Sequence, residues 1–176
     1  PKEIKSQENR IGLTPESVKI LTSNGNEVMV ENNGGFEAGF YNEQYKSAGA
    51  KIVDKAEDIF NDSEIIVKVK EPQSSEVKMI KENQIVFTYL HLAAAKELTK
   101  GLVDSKSVCI AYETVTDNNG RLPLLAPMSA VAGRMSVQAG AHCLEKNQKG
   151  RGLLLGGAPG VDPVSYTHLT LPTTVS

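Results

Sequence analysis

Two side chains that could act on a small charged molecule stand where strands are expected to end. His91 closes the apolar run 84–90, and Lys70 stands near the end of the β-branched run 64–72. In open α/β sheets, ligands bind just outside the carboxyl ends of the strands. An imidazole suits proton transfer near neutral pH, and an ammonium group attracts anions or polarises a carbonyl. The sequence therefore predicts an acid/base and a cation at one rim.

The run 64–72 is expected to carry charge on one face. Alternation with period 2 separates its lysines from its apolar residues. The two predicted faces are Lys68 with Lys70, and Ile65 with Val67 and Val69.

These residues also have structural explanations. A histidine at a strand end often only packs or caps, and a lysine beside a glutamate, as Lys70 is beside Glu71, is often a solvated ion pair. Glu113 follows another expected strand end and could hold a metal or shape a loop, and the loop is favoured. Cys109 and Cys143 lack metal-ligand spacing, which favours two core thiols over a disulfide or a zinc site. No metal site is predicted.

The composition is that of an ordinary soluble globular protein. The 176 residues carry a net charge of -2, which gives no basic field for a nucleic-acid backbone. No apolar run is long enough to cross a bilayer, and the first residues lack the layout of a signal peptide. We therefore expect a cytoplasmic protein with neither a nucleic-acid nor a membrane partner.

Strand and helix signals alternate along the chain. Thr14 and Pro15 form a good N-cap and first helical residue. The predicted helices are 15–23, 42–48, 54–61 with Asp54 as its cap, one from 74, 93–104 and 129–147. The predicted strands are 27–31, 51–53, 64–71, 84–89 and 107–111. This alternation predicts an α/β fold with a mostly parallel sheet and helices on both faces.

The last third of the chain follows a different pattern. The helix 129–147 is rich in small residues on its apolar stripe, so we expect it to pack closely, against another domain or subunit. The segment 150–160 is Gly-rich without a GxGxxG spacing, which favours a flexible interdomain loop over a phosphate cradle. The segment 164–176 has no charged residue and is interpreted as a non-native tail, with an exposed strand as the alternative.

An ordered set of motifs within residues 1 to about 163 resembles a known family. The motifs are NRIGLTP, VKVKEP, FTYLHLAA, AYETV, LPLLAPMS and GGAPGV. They are similar to the N-terminal part of the alanine dehydrogenases, a family related to the α subunit of nicotinamide nucleotide transhydrogenase. VKVKEP and FTYLHLAA resemble the dehydrogenase branch. The resemblance implies a Rossmann-like substrate domain over 1–128, a connecting helix and loop over 129–163, and truncation before the NAD-binding Rossmann domain.

The resemblance also implies roles for individual residues. His91 would be the catalytic acid/base, Lys70 a catalytic and substrate-binding residue, and Arg10 a second substrate contact. Met128 and Ser129 would lie on the cofactor side of the cleft, with Ser129 touching the nicotinamide cofactor. The residue chemistry agrees, because a 2-oxo acid needs a cation for its carboxylate, a donor near its carbonyl and a group that moves protons.

The implied function is the reversible oxidative deamination of L-alanine to pyruvate and ammonia with NAD, in a cytoplasmic homo-oligomer. The dinucleotide fingerprint is absent from these 176 residues, so we expect this chain alone to be inactive. Two alternatives stay open. One is the N-terminal domain of a transhydrogenase α subunit, which would need a membrane partner. The other is a non-catalytic module that binds small carboxylates.

Overall fold

The computed structural model describes residues 1–161, in which the chain forms two compact units. The first is Pro1–Leu124, and the second begins at Leu125. The helices are α1 Pro15–Ser23, α2 Asn42–Ser47, α3 Ala56–Asp62, α4 Ser74–Val77, α5 Lys96–Ser105 and α6 Ala126–Leu144. The strands are β1 Met29–Glu31, β2 Lys51–Val53, β3 Ile65–Val67, β4 Ile85–Thr88 and β5 Val108–Ala111. The predicted α/β alternation is confirmed.

Within residues 1–161 the paired strands all run parallel, and the five strands form two sheets rather than one. β1 pairs with β2, while β3, β4 and β5 form a second sheet with β4 in the middle. In that sheet Val67 lies opposite Phe87, and Val86 lies opposite Cys109. Because parallel strands run in one direction, β3 and β4 end at the same edge. Lys70 follows β3 and His91 follows β4 at that edge.

One face of the three-stranded sheet forms the larger core. Its central side chains, Ile66 and Val86, are completely buried and pack with Phe60 and Leu90. The opposite face is more open, since Ile65 is 51% exposed. Aromatic rings line that open face: Tyr112 meets Phe87 and Tyr89 edge to face, at centroid distances of 4.4 and 4.9 Å. Such pairs favour fixed ring positions near the ends of the strands.

The two-stranded sheet is covered by α1 and α2. Tyr45 of α2 is fully buried, and its hydroxyl donates to the Leu13 carbonyl at 2.9 Å. Burial raises the pKa of Tyr45 to about 12, so the phenol stays protonated. The Thr14 hydroxyl caps α1 by accepting the Ser17 backbone N–H at 3.2 Å. The predicted start of α1 is confirmed, and this cap directs the preceding segment 8–13 toward the sheet.

Two local predictions are wrong. α3 follows Lys55 without a side-chain cap, and Asp54 instead accepts a hydrogen bond from the Asn32 side chain at 3.2 Å. The strand pattern of 64–72 also fails, because β3 ends at Val67 and Lys68 is completely buried. Period-2 alternation separates a polar face from an apolar face only where one face of the strand contacts water and the other is buried.

The region after β4 also differs from expectation. The predicted helix 93–104 is a 3-10 turn, Leu92–Ala94, followed by α5. In the second unit, the predicted helix 129–147 corresponds to α6, none of whose side chains is buried among the described residues. Its close packing against another domain or subunit stays a prediction. Cys143 is exposed and is therefore not a core thiol, whereas Cys109 is half-buried against the larger core. The suspected tail 164–176 lies outside the described residues.

Candidate functional site

The ends of β3 and β4 are joined by hydrogen bonds that continue past the strands. The Thr88 hydroxyl donates to the Lys70 carbonyl at 3.0 Å, and the Tyr89 N–H donates to the Val69 carbonyl at 3.3 Å. Thr88 is completely buried. These bonds fix the backbone from which the Lys70 and His91 side chains project, so the two residues sit on neighbouring, mutually braced segments.

Lys68 is a buried structural cation. Its Nζ donates to Glu3 Oε2 at 2.9 Å and to Glu76 Oε1 at 2.7 Å, and all three side chains are at most 2% exposed. Buried charges persist only when they are paired and hydrogen-bonded. Glu3 also accepts the backbone N–H groups of Val69 and Lys70 on its Oε1, at 2.6 and 3.2 Å. The cluster therefore holds the chain at Lys70 in place.

Arg10 and Lys70 both act on one carboxylate, that of Glu8. Arg10 donates to Glu8 Oε1 from its Nε at 2.8 Å and to Oε2 from its Nη2 at 2.6 Å. The hydrogen bonds from Arg10, outweighing the effect of burial, lower the pKa of Glu8 to about 2, and the charge of Lys70 adds to this. Glu8 is therefore ionised, bound by Arg10 and within the electrostatic influence of Lys70.

Gly12 explains how the segment that bears Arg10 reaches the sheet. A Cβ atom at Gly12 would lie 2.8 Å from the carbonyl oxygen of Val67 and 3.1 Å from the Lys68 nitrogen. Both are backbone atoms, so a side chain there would force the segments apart. The glycine of the NRIGLTP motif therefore lets that segment lie directly against the end of β3.

The backbone of His91 has an uncommon conformation. Its φ and ψ are 51° and 39°, in the left-handed region. Glu113 Oε1 accepts the N–H of His91 at 2.7 Å and that of Leu90 at 3.0 Å. The imidazole is 55% exposed and lies 6.0 Å, between ring centroids, from Tyr89. Glu113 thus shapes a loop, as favoured from the sequence, and the loop presents the His91 ring outward.

Glu71 does not form the ion pair with Lys70 that its position in sequence suggested. It pairs with Lys5 instead. Burial alone would raise the pKa of Glu71, but the Lys5 hydrogen bond, the residue's own backbone and the charges of Lys5 and His91 together lower it. Its other oxygen, Oε2, lies 3.6 Å from Nδ1 of His91. Glu71 is therefore an ionised neighbour of the imidazole.

The structure links the predicted site residues of the first unit through shared neighbours. Arg10 contacts Glu8, whose pKa is also lowered by the charge of Lys70, and the Tyr89 ring lies beside His91. Met128 and Ser129 belong to the first turn of α6, in the second unit. The residues that sequence reasoning missed are the acidic and basic supports: Glu3, Lys5, Glu8 and Glu71. Only Glu71, next to Lys70, had a local signal.

Neither a metal centre nor a membrane span is found in the part of the chain that the structure describes. Residues 1–161 contain no group of three or more metal-binding side chains. None of their helices has the length and apolarity needed to cross a bilayer.

Comparisons with known proteins agree on one family. The family model described as "Alanine dehydrogenase/PNT, N-terminal domain" matches residues 1–132. An alanine dehydrogenase from Halomonas elongata is 53% identical over 167 residues, which are 95% of this chain and 45% of the relative. The chain therefore spans about half the length of the curated relatives that it matches.

Solved structures give the same result for the fold. One named L-alanine dehydrogenase has a TM-score of 0.84 and 53% identity, over 93% of this chain and 45% of that chain. A transhydrogenase from Sinorhizobium meliloti has a TM-score of 0.62 at 24% identity, over 67% of this chain and 34% of that chain. The second likeness shows a shared fold alone.

Proposed function

The chain belongs to the alanine dehydrogenase and transhydrogenase N-terminal domain family, and from this we propose that it is the substrate-binding part of an NAD-dependent alanine dehydrogenase. The proposed reaction is the reversible oxidative deamination of L-alanine to pyruvate and ammonia. The observation that carries the proposal is the arrangement at the ends of β3 and β4. There, Arg10 binds the Glu8 carboxylate at two points, the charge of Lys70 also lowers the pKa of that carboxylate, and His91 projects from the neighbouring loop.

Arg10 is proposed to hold the substrate carboxylate. Its guanidinium already makes a two-point contact with the carboxylate of Glu8, at 2.8 and 2.6 Å. This geometry is the one by which arginine recognises carboxylates generally. Lys70 would contribute a point charge near the carbonyl oxygen of pyruvate, where it polarises the C=O bond toward attack by ammonia. The hydrogen bonds of Glu3 keep the backbone at Lys70 in position.

His91 is proposed to move the proton. During deamination, water adds to the oxidised carbon of the substrate, and a base must take a proton before ammonia leaves. The imidazole is 55% exposed, so it is accessible to both water and substrate. NAD, when bound, supplies the hydride acceptor. The residues of this chain bind the acid, polarise its carbonyl and exchange the proton.

Met128 and Ser129 are proposed as contacts to the cofactor. Met128 is 39% exposed, and Ser129 is exposed in the first turn of α6. An apolar thioether and a hydroxyl fit the edge of a nicotinamide ring. A diphosphate is usually held by a Gly-rich loop at a helix start, and the segment before α6 is not Gly-rich. We therefore assign only the nicotinamide end of NAD to this chain.

The two alternative functions have weaker support. The likeness to a transhydrogenase is 24% identical, against 53% for a named alanine dehydrogenase. A non-catalytic carboxylate-binding module would not need an exposed imidazole beside the two cations. The homo-oligomeric state and the cytoplasmic location are part of the same proposal and are supported by the family resemblance alone.

A chimera would test the proposed function. Residues 1–161 would replace the matching part of the Halomonas elongata alanine dehydrogenase, which is 53% identical to this chain. We expect the purified chimera to reduce NAD with L-alanine, measured as NADH absorbance. The same chimera with His91→Ala is the control and should be nearly inactive. A folded chimera without activity, beside an active parent enzyme, would contradict the proposal.

A further inference from the structure

One oxygen of Glu71 has an unusual environment. Oε2 is buried and has no hydrogen-bond donor among the described residues. Nδ1 of His91 lies 3.6 Å from it. A buried carboxylate oxygen without a donor is destabilising, so its position calls for a physical explanation. The distance is slightly too long for a hydrogen bond.

The other carboxylate oxygen of Glu71, Oε1, already has a hydrogen-bond partner. Oε1 accepts a hydrogen bond from Lys5, which orients the carboxylate and leaves Oε2 directed toward the imidazole. The pKa of Glu71 is lowered despite its burial, so the group is ionised at neutral pH. An ionised carboxylate only accepts hydrogen bonds. Glu71 therefore suits a ring nitrogen that carries a proton.

We propose that Glu71 is a positioning residue for His91, which accepts a hydrogen bond from Nδ1–H and so leaves Nε2 as the atom that exchanges protons with the substrate. The inference rests on the proposed function for its catalytic meaning. Its structural part, which is the tautomer of the His91 ring, does not depend on the proposed function. Carboxylate and histidine pairs commonly fix the ring in this way, because the hydrogen bond at one nitrogen decides where the proton lies.

The other groups around the ring are engaged elsewhere. Glu113 accepts the backbone N–H groups of Leu90 and His91, so it holds the main chain and not the ring. The Tyr89 hydroxyl donates to the Leu124 carbonyl at 2.6 Å. Lys5 is bound to Glu71 itself. Of these neighbours, Glu71 is the one with a carboxylate oxygen left for the imidazole.

Backbone and ring would thus be fixed by two different carboxylates. Glu113 holds His91 in the left-handed conformation, and Glu71 sets the rotation of the imidazole. Hydrogen bonds of catalytic groups are often long before substrate binds and shorten in the complex. A ring rotation that brings Nδ1 a few tenths of an ångström closer would complete the bond.

The tautomer can be measured in the 176-residue chain by ¹⁵N NMR of its histidine rings at a pH where they are neutral. We expect the Nδ1–H form to predominate for His91, and the Nε2–H form to predominate after Glu71→Gln. His91→Gln identifies the signal. A matched control exists in α6, where His142 Nδ1 also lies 3.6 Å from Glu145 Oε2, with both side chains more than half exposed. Glu145→Gln should leave the His142 tautomer unchanged.

Two results would overturn the inference. One is a predominantly Nε2–H ring in the unmodified chain, a measurement that needs no variant to fold. The other is a His91 tautomer that does not respond to Glu71→Gln in a folded protein. In the active chimera, Glu71→Gln should lower kcat at least tenfold with little change in the KM for L-alanine. Glu71→Asp should have a kcat between that of Glu71→Gln and that of the unmodified chimera. An inactive chimera would contradict the proposed function while leaving the NMR result valid.

Discussion

Arg10 holds both carboxylate oxygens of Glu8, from Nε at 2.8 Å and from Nη2 at 2.6 Å. The guanidinium is 43% exposed and the carboxylate only 7%. The arginine is therefore accessible from solvent while its planar fork is already held in the orientation that a carboxylate requires. A substrate carboxylate that uses the same two donors would have to displace Glu8, and the guanidinium would then already have the required orientation.

The first prediction concerns the titration of Glu8. In Arg10→Met we expect the pKa of Glu8 to rise from about 2 toward its usual 4.5, because the hydrogen bonds from Arg10 are the main cause of the depression. Carboxylate ¹³C chemical shifts would measure it. Since the folded-state pKa is the lower one, the pair stabilises the fold above pH 4.5 and loses this contribution as the pH falls to 2. Arg134→Met, at an exposed position of α6, should change neither quantity.

The second prediction concerns turnover in the chimera. Lys70→Ala and His91→Ala should each nearly abolish kcat, because they remove the polarising charge and the proton-transfer group. Arg10→Ala should mainly weaken pyruvate binding, by about 2–5 kcal/mol, as expected when one partner of a desolvated charge pair is lost. Steady-state kinetics would separate the two effects. Lys100→Ala, at an exposed position of α5, is the control and should behave like the unmodified chimera.

Normal turnover of His91→Ala across the pH range would contradict the acid/base role. Arg10→Lys offers a finer comparison, since it keeps the charge and loses the two-point contact. We expect it to bind pyruvate more weakly than the unmodified chimera and more tightly than Arg10→Ala.

The third prediction concerns the buried cation. Lys68→Met should lower the free energy of unfolding by about 3–5 kcal/mol, because Glu3 and Glu76 would keep buried negative charges without their partner. Urea denaturation would measure the loss. Lys106→Met is the matched control, since its pair with Glu82 spans 3.5 Å with both side chains more than 60% exposed. That substitution should change stability by less than about 1 kcal/mol. Similar losses in both variants would refute the structural role of Lys68.

The fourth prediction concerns the approach of residue 12 to the sheet. Gly12→Ala should destabilise the protein by about 1–3 kcal/mol, because the added methyl group would lie 2.8 Å from the Val67 carbonyl oxygen. Gly156→Ala, where a Cβ meets nothing within 4 Å, should be close to neutral. Thermal unfolding of the two variants gives the comparison. Equal stabilities would show that the segment bearing Arg10 is not held tightly against β3.

The sequence predicted those features that depend on neighbouring residues. Thr14 and Pro15 determine the start of α1 by local hydrogen bonding, and α1 forms where expected. The parallel arrangement of β3 and β4 followed from strand–helix alternation, so the edge shared by Lys70 and His91 was predictable. The roles of these residues in catalysis remain predictions.

Features that depend on distant residues were not predicted. The burial of Lys68 requires Glu3, which is 65 residues away, and no local pattern distinguishes a buried lysine from an exposed one. The left-handed backbone of His91 requires Glu113, 22 residues away. Alternation in 64–72 failed for the same reason, because a distant carboxylate neutralises the charge that the pattern assigned to solvent.

The bonds of Glu3 also bear on the order in which the protein can assemble. The carboxylate reaches Lys68 and the backbone of Val69 and Lys70 across 65 to 67 residues. At translation rates of about 5–20 residues per second, Glu3 waits roughly 3–13 s on the ribosome before these partners are synthesised. Throughout that interval the carboxylate remains hydrated. The end of β3 therefore becomes fixed only after Lys68, Val69 and Lys70 have been synthesised and Glu3 has closed this long loop, and the binding geometry at Lys70 can form only then.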